Sequence, residues 1–166
     1  MSLKSGFFGK IVEILGTGFG LGLSPIVPGT CGSLPGIALV LLISRVGSVP
    51  VQALIAIGLS LLAIPIAHIT EARLKEKGGK KDDGRVVVDE YLTFPVCMLG
   101  LPPHPLMLAI AFVISRICDI IKPPPAYQSQ RLKGGLGIVA DDFIANIYTL
   151  ALNWLVFLAL RKAQIL

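Results

Sequence analysis

Charged residues cut the chain into long neutral runs. Residues 14–44, 46–70, 91–115 and 143–160 contain no aspartate, glutamate, lysine or arginine. The second and fourth approach the roughly 20 apolar residues that cross a hydrocarbon layer, and each is predicted as a membrane-length helix. The first divides at Pro35 into a Gly/Pro/Ser-rich half and an apolar half, 36–44. At about 1.5 Å per residue the apolar half is too short to span, so a half-helix or re-entrant segment is expected there. The third is broken by Pro95, Pro102, Pro103 and Pro105, which predicts two shorter helices with a turn at 101–105. Near the N-terminus, Phe7, Phe8, Ile11, Val12 and Leu15 alternate with Lys4, Lys10 and Glu13 at helical spacing. Such a helix either lies on a membrane surface or caps the bundle. The apolar run after Lys4 and Lys10 is broken by Gly and Pro and lacks a cleavage site, so no cleavable leader is expected.

Composition strengthens this picture. Of 166 residues, 15 are Lys or Arg and 10 are Asp or Glu, while 54% are hydrophobic; soluble domains carry about 25% charged residues. These values exclude a disordered chain, a coiled coil and a charge-rich nucleic-acid binder. Twelve prolines, mostly in or beside apolar stretches, argue against central strands. The expected fold is all-α: a multihelical single domain over residues 1–166, with membrane-embedded helices and half-helices. The bland alternative is a soluble bundle of buried helices. Six basic residues (Arg73, Lys75, Lys77, Lys80, Lys81 and Arg85) and four more (Arg116, Lys122, Arg131 and Lys133) flank apolar segments, which places those flanks in the cytoplasm beside anionic lipid. They are not interleaved with aromatics, as a nucleic-acid surface would require. Cys31, Cys97 and Cys118 are odd in number and show no metal spacing, so neither a disulfide framework nor a Cys/His metal site is expected.

In a chain so poor in charge, the positions of the acids matter. Five of the ten fall at ends of apolar segments, in three groups: Asp89 with Glu90, Asp119, and Asp141 with Asp142. A carboxylate beside apolar helices is costly unless paired or bound to a cation. If 36–70 and 91–115 are helical hairpins, each leaves one face and returns to it, and all three groups converge there. Together they suggest one oxygen-ligand site for Mg²⁺. Singly, each acid is equally a helix cap or a surface residue, Asp141 or Asp142 capping the last helix.

Three further segments carry chemistry. Arg116, Asp119 and Lys122 recur every third residue on one helix face that Pro123 ends; two cations there suit phosphate oxygens and the acid suits a metal. The alternative is a buried ion cluster. Residues 16–33, rich in glycine with Ser24, Thr30 and Ser33, suit close backbone approach to a phosphate. They match neither the P-loop nor the dinucleotide pattern, and a glycine-rich membrane turn reads the same way. Residues 134–137 (GGLG) read as a flexible approach that leaves Asp141 and Asp142 at the exposed end of the last helix. His68 and His104 lie in apolar stretches and are expected to be structural.

The segments GTGFGLGLSPIVPGTCGSLPG (16–36), VVVDEYLTF (86–94), SRICDIIKPPP (115–125) and GGLGIVADD (134–142) together resemble the phosphatidylglycerophosphatase A family, in that family's order. The resemblance implies a Mg²⁺-dependent lipid phosphatase that converts phosphatidylglycerophosphate to phosphatidylglycerol and phosphate. It would sit in a bacterial inner membrane with its active site facing the cytoplasm and would take a phospholipid, not a nucleic acid, as partner. It carries over Asp89, Glu90, Asp119, Asp141 and Asp142 as metal ligands. Asp89, Asp119, Asp142 and Lys122 take catalytic roles, and Ser24, Thr30, Ser33, Arg116 and Lys122 bind substrate. The attacking group is a metal-activated water or, alternatively, an aspartate that forms a phosphoenzyme. The chain departs from the family at Asp82-Asp83-Gly84, where a single Asp-Pro is common; after the Asp-Glu pair, where an aromatic or Gly is common, it has Tyr91-Leu-Thr-Phe. Two other readings are a non-enzymatic membrane subunit or scaffold, and a soluble helical phosphatase for a small phosphate ester. Oligomeric state is not legible.

Overall fold

A computed structural model describes residues 6–79 and 83–166. Lys4, Lys80, Lys81 and Asp82 lie outside them. The described residues form seven α-helices, linked in two places by short 3₁₀ turns, and no strand. In order they are α1 (Phe7–Gly16), α2 (Pro28–Ile43), α3 (Val49–Glu76), α4 (Val88–Thr93), α5 (Pro105–Ile121), α6 (Ala126–Ser129) and α7 (Gly135–Lys162).

The third neutral stretch divides as its prolines predict. α4 runs into a 3₁₀ turn at Phe94–Met98, and α5 begins at Pro105 behind the His104 cap. Proline suits a first helical position because its missing N–H would have no partner there. The His104 ring nitrogen accepts from the Leu106 N–H at 3.3 Å, a structural role.

Two boundaries differ from the sequence-based expectation. α2 is no half-helix starting at 36. It begins at Pro28 and runs 16 residues straight through Pro35. Pro35 sacrifices one backbone bond to the Cys31 carbonyl, yet the helix persists because its face at Gly32, Ser33 and Gly36 is buried in the bundle. α7 starts at Gly135, not after Asp142. The run 134–137 is therefore the helix start itself, with Gly134 as cap at φ 64°. A β-carbon on Gly135 would collide with the Ile64 carbonyl of α3; only glycine lets the two long helices meet so closely.

α3 and α7 are each 28 residues, long and apolar enough to cross a membrane. Only 17% and 22% of their apolar windows are buried inside the bundle, so Leu54, Leu61, Leu62, Leu152, Leu155 and Leu158 face outward. A core helix of a soluble bundle would be mostly covered. Outward-facing leucines along two membrane-length helices are compatible with embedding in lipid.

α1 packs Val12 and Gly16 on α3, where Thr70 donates to the Val12 carbonyl at 3.2 Å. Its Phe7, Phe8, Ile11 and Ile14 stay exposed. It therefore docks on the bundle and still presents an apolar face. Two apolar clusters hold the helices together. One joins Val40, Phe94, Met98, Met107 and Leu108 at the end away from the acids; the other joins Ala63, Ala67, Leu74, Val88, Tyr91 and Val139 beside them.

Candidate active site

The hairpins converge as the charge pattern requires. α4 begins, α5 ends and α7 begins around one cavity of about 300 Å³, whose wall includes Asp83, Asp89, Glu90, Asp119, Lys122, Gln130, Asp141 and Asp142. All five candidate acids thus face one space, although 53 residues separate Asp89 from Asp142.

Each acid has a distinct setting. Asp89 and Glu90 occupy the first turn of α4, where the helix dipole favours negative charge. Asp119 lies in the last turn of α5. Asp141 and Asp142 lie two turns inside α7 and are only 4% exposed, so neither caps that helix nor sits at an exposed end. Lys122 ends α5 with a left-handed backbone, φ 49°. From there its ammonium reaches back to Asp119 at 3.4 Å and across to Asp141. Gln130, just beyond α6, donates to the same Asp141 oxygen at 3.0 Å. Arg116 bridges Glu90 (2.9 Å) and Asp119 (3.3 Å). Glu90 also accepts from the Ser33 hydroxyl at 2.8 Å.

Several carboxylate oxygens have no partner. Asp89 Oδ1, Asp141 Oδ1 and Asp142 Oδ2 are buried without a hydrogen bond. Burial, reinforced by the charges of Glu90, Asp141 and Asp119, pushes the Asp89 carboxyl well above the usual range. Burial also raises Glu90, with Arg116 and Ser33 pulling the other way. Buried anions in this condition are stable only if they take up protons or meet a cation. Asp119, Asp141 and Asp142 each offer an oxygen within 4.8 Å of the others. An all-oxygen donor set of this kind suits a hard divalent cation. Asp89 faces the same cavity, whereas Glu90 is already committed to Arg116 and Ser33.

The glycine-rich segment contributes differently from its sequence reading. Ser24 and Thr30 do not line the cavity, and Ser33 reaches it only through Glu90. The glycines make room for protein: a β-carbon on Gly32 would strike the Val87 side chain, and one on Gly29 would come within 2.5 Å of Glu90 Oε1 and 3.1 Å of Arg116 Nη1. Gln130 escaped sequence reasoning because a lone glutamine in a polar linker carries no pattern. Asp83, at the cavity rim, is tied to Arg85 by hydrogen bonds of 2.6 and 2.8 Å. The three cysteines are free, and His68 does not line the cavity.

Comparison with known proteins places this arrangement. The phosphatidylglycerophosphatase A family matches residues 14–157. A Bacteroides thetaiotaomicron protein with the provisional name phosphatidylinositol-3-phosphatase is 34% identical over 84% of this chain and 89% of its own length. Proteins named phosphatidylglycerophosphatase A from Escherichia coli and Haemophilus influenzae are each 34% identical; the matches cover 81% and 82% of this chain and 77% and 83% of theirs. No solved structure matches. The matched region contains all five acids, Arg116, Lys122 and the glycine-rich segment, and the chain belongs to the phosphatidylglycerophosphatase A family.

Proposed function

We propose that this phosphatase removes the terminal phosphate of phosphatidylglycerophosphate, releasing phosphatidylglycerol and inorganic phosphate, with Mg²⁺ as cofactor. The observation that carries the reading is the set of unpartnered buried carboxylate oxygens, flanked by Lys122 and Arg116, at one end of a bundle with membrane-length helices. Asp119, Asp141 and Asp142 would hold the metal, with Asp89 facing it. Bound there, Mg²⁺ supplies Lewis-acid neutralisation of phosphoryl charge and activation of water.

The chain's own groups do the rest. Lys122 places a positive charge on the cavity wall where phosphate oxygens enter. Arg116, fixed by two carboxylates, presents a second cation in a set orientation. Gln130 keeps Asp141 aimed inward. In the overall reaction water forms the new P–O bond, the P–O bond to glycerol breaks, and the departing oxygen takes a proton.

The inner membrane, with the cavity toward the cytoplasm, suits the distribution of charge. Arg73, Lys75, Lys77, Arg85, Arg116, Lys122, Arg131 and Lys133 lie toward the cavity end, against Arg45, Arg161 and Lys162 toward the other; cytoplasmic flanks carry such an excess.

The test is phosphate release by purified protein with Mg²⁺ or EDTA. The panel is phosphatidylglycerophosphate, phosphatidylinositol 3-phosphate, phosphatidic acid and glycerol phosphate. The reading expects Mg²⁺-dependent release from the first in clear preference. Preference for the inositol lipid would move the substrate to that named for the Bacteroides relative. Release from glycerol phosphate alone would favour a soluble substrate, and no release from any would favour a scaffold.

A further inference from the structure

Asp89, Asp119 and Asp142 stand on three separate helices, α4, α5 and α7. Their spacing therefore depends on the register of those helices, and sliding a helix by one residue moves its carboxylate about 1.5 Å. One helical turn from each acid lies a buried polar residue: Thr93 four after Asp89, Asn146 four after Asp142, and Ser115 four before Asp119. Residues four apart share a helix face, so these three form a second layer directly behind the acids. The layer is continuously bonded. Ser115 Oγ donates to Asn146 Oδ1 at 2.8 Å, Asn146 Nδ2 donates to Thr93 Oγ1 at 2.9 Å, and the Thr93 hydroxyl donates to the Asp89 carbonyl at 2.7 Å. All three residues are buried, none more than 3% exposed.

We infer that Ser115, Asn146 and Thr93 form a positioning triad that locks α5, α7 and α4 in register and so sets the spacing of the carboxylates. In a dry interior a shifted register would leave a hydroxyl or amide unpaired, which is costly. The bonded layer therefore has one arrangement of lowest energy, and that arrangement brings the acids together. The inference rests on the site proposed above.

Interhelical polar pairs also serve as plain adhesive. Asn153 provides the matched comparison. It lies on the same helix, is fully buried and donates to the Cys97 carbonyl at 2.8 Å, but it is 11 residues beyond Asp142 and its hydrogen bond goes to the 3₁₀ turn rather than to an acid-bearing turn. If the triad positions the acids, its loss alters the chemistry; if it is adhesive, its loss does no more than the loss of Asn153.

The experiment uses the full chain in detergent micelles. It compares Asn146→Ala, Thr93→Val, Thr93→Ser, Ser115→Ala and Asn153→Ala by thermal midpoint, by kcat and KM on phosphatidylglycerophosphate, and by calorimetric affinity for Mg²⁺ alone. The triad predicts that Asn146→Ala and Thr93→Val lose about 10–100-fold in kcat, the cost of about 1 Å of misplacement, with KM nearly unchanged and Mg²⁺ affinity about 10-fold weaker. Thr93→Ser keeps the hydroxyl and restores kcat, and Ser115→Ala falls between. Asn153→Ala lowers the midpoint by a similar amount with kcat and Mg²⁺ affinity unchanged. Equal kcat and equal Mg²⁺ affinity in Asn146→Ala and Asn153→Ala, or Thr93→Ser as impaired as Thr93→Val, would overturn it. Should Asn146→Ala fail to fold, Ser115→Ala at wild-type kcat and affinity overturns it as well. A wild-type protein that binds Mg²⁺ but releases no phosphate refutes the substrate reading alone, and the Mg²⁺ affinities of the variants then judge the triad.

Discussion

α3 and α7 have the same length and nearly the same apolar character, yet their buried faces differ in kind. Along most of its length α3 buries small residues that let neighbours approach, Ala56, Ser60, Ala63, Ala67 and Thr70, with Arg73 and Leu74 buried only near its end. α7 buries Asp141, Asp142, Asn146 and Asn153, which bond to other elements or face the cavity, and Thr149, which bonds back to the Ala145 carbonyl of the same helix. Outside, both expose leucine and isoleucine. The lipid-facing surface thus says little about what a membrane-length helix does; the narrow inward stripe decides it. On α3 the stripe is shaped for packing, as expected where hydrophobicity alone does not drive helices together. On α7 it carries two of the acids proposed to hold the metal.

Substitutions can break this contrast. The largest effect is expected at the acids: Asp142→Asn and Asp119→Asn should lose about 10²–10³-fold or more in phosphate release, the scale of removing a group that manages developing charge, with unchanged circular dichroism. Full activity in both would move the chemistry away from these acids of α5 and α7. Next is the contact where the helices meet. Gly135→Ala forces a methyl into the Ile64 carbonyl and should cost about 1–3 kcal/mol, read as a lower thermal midpoint.

A smaller effect belongs to the charged end of α3. Arg73 and Lys77 pair with Glu13 of α1 at 3.0 and 2.5 Å. Glu13→Gln should cost at most about 1 kcal/mol, since one partner is largely exposed, with little change in activity. The hydrogen bond from Lys77, opposed by partial burial and aided by Arg73, holds the Glu13 carboxyl below its usual 4.5. A lowered carboxyl stabilises the fold above its ordinary value and ceases to as pH falls through the folded one. The stability gap between wild type and Glu13→Gln should therefore be constant near neutrality and close below about pH 4.5 in acid-unfolding curves. The smallest effect is expected at Leu61→Ala on the outer face of α3, within about 0.5 kcal/mol. A large loss there would mean that this face is covered by protein rather than lipid.

The sequence made the acids easy to find because charge is scarce; in a chain where most residues are apolar, five carboxylates at segment ends stand out. The hairpin topology followed from the prolines at 102–105. Helix starts were harder. Pro35 and the glycines at 134–137 read as boundaries by local preference, but burial of Gly32 and Gly36 carries α2 through Pro35, and the close crossing on α3 turns the glycines into the first turn of α7. The partners of the acids were not legible. Gln130 on Asp141, Ser33 on Glu90 and Asn146 between α4 and α5 are contacts across 11 to 57 residues that leave no mark in local pattern.

Gly29 shows what such a contact imposes in return. The space its missing β-carbon leaves is occupied by the Glu90–Arg116 pair. The glycine-rich entry to α2 thus acts as a mould, its hollow cast around two opposite charges. A side chain there would have to push the end of one of them aside, so residue 29 is constrained by an ion pair formed some 60 to 90 residues downstream.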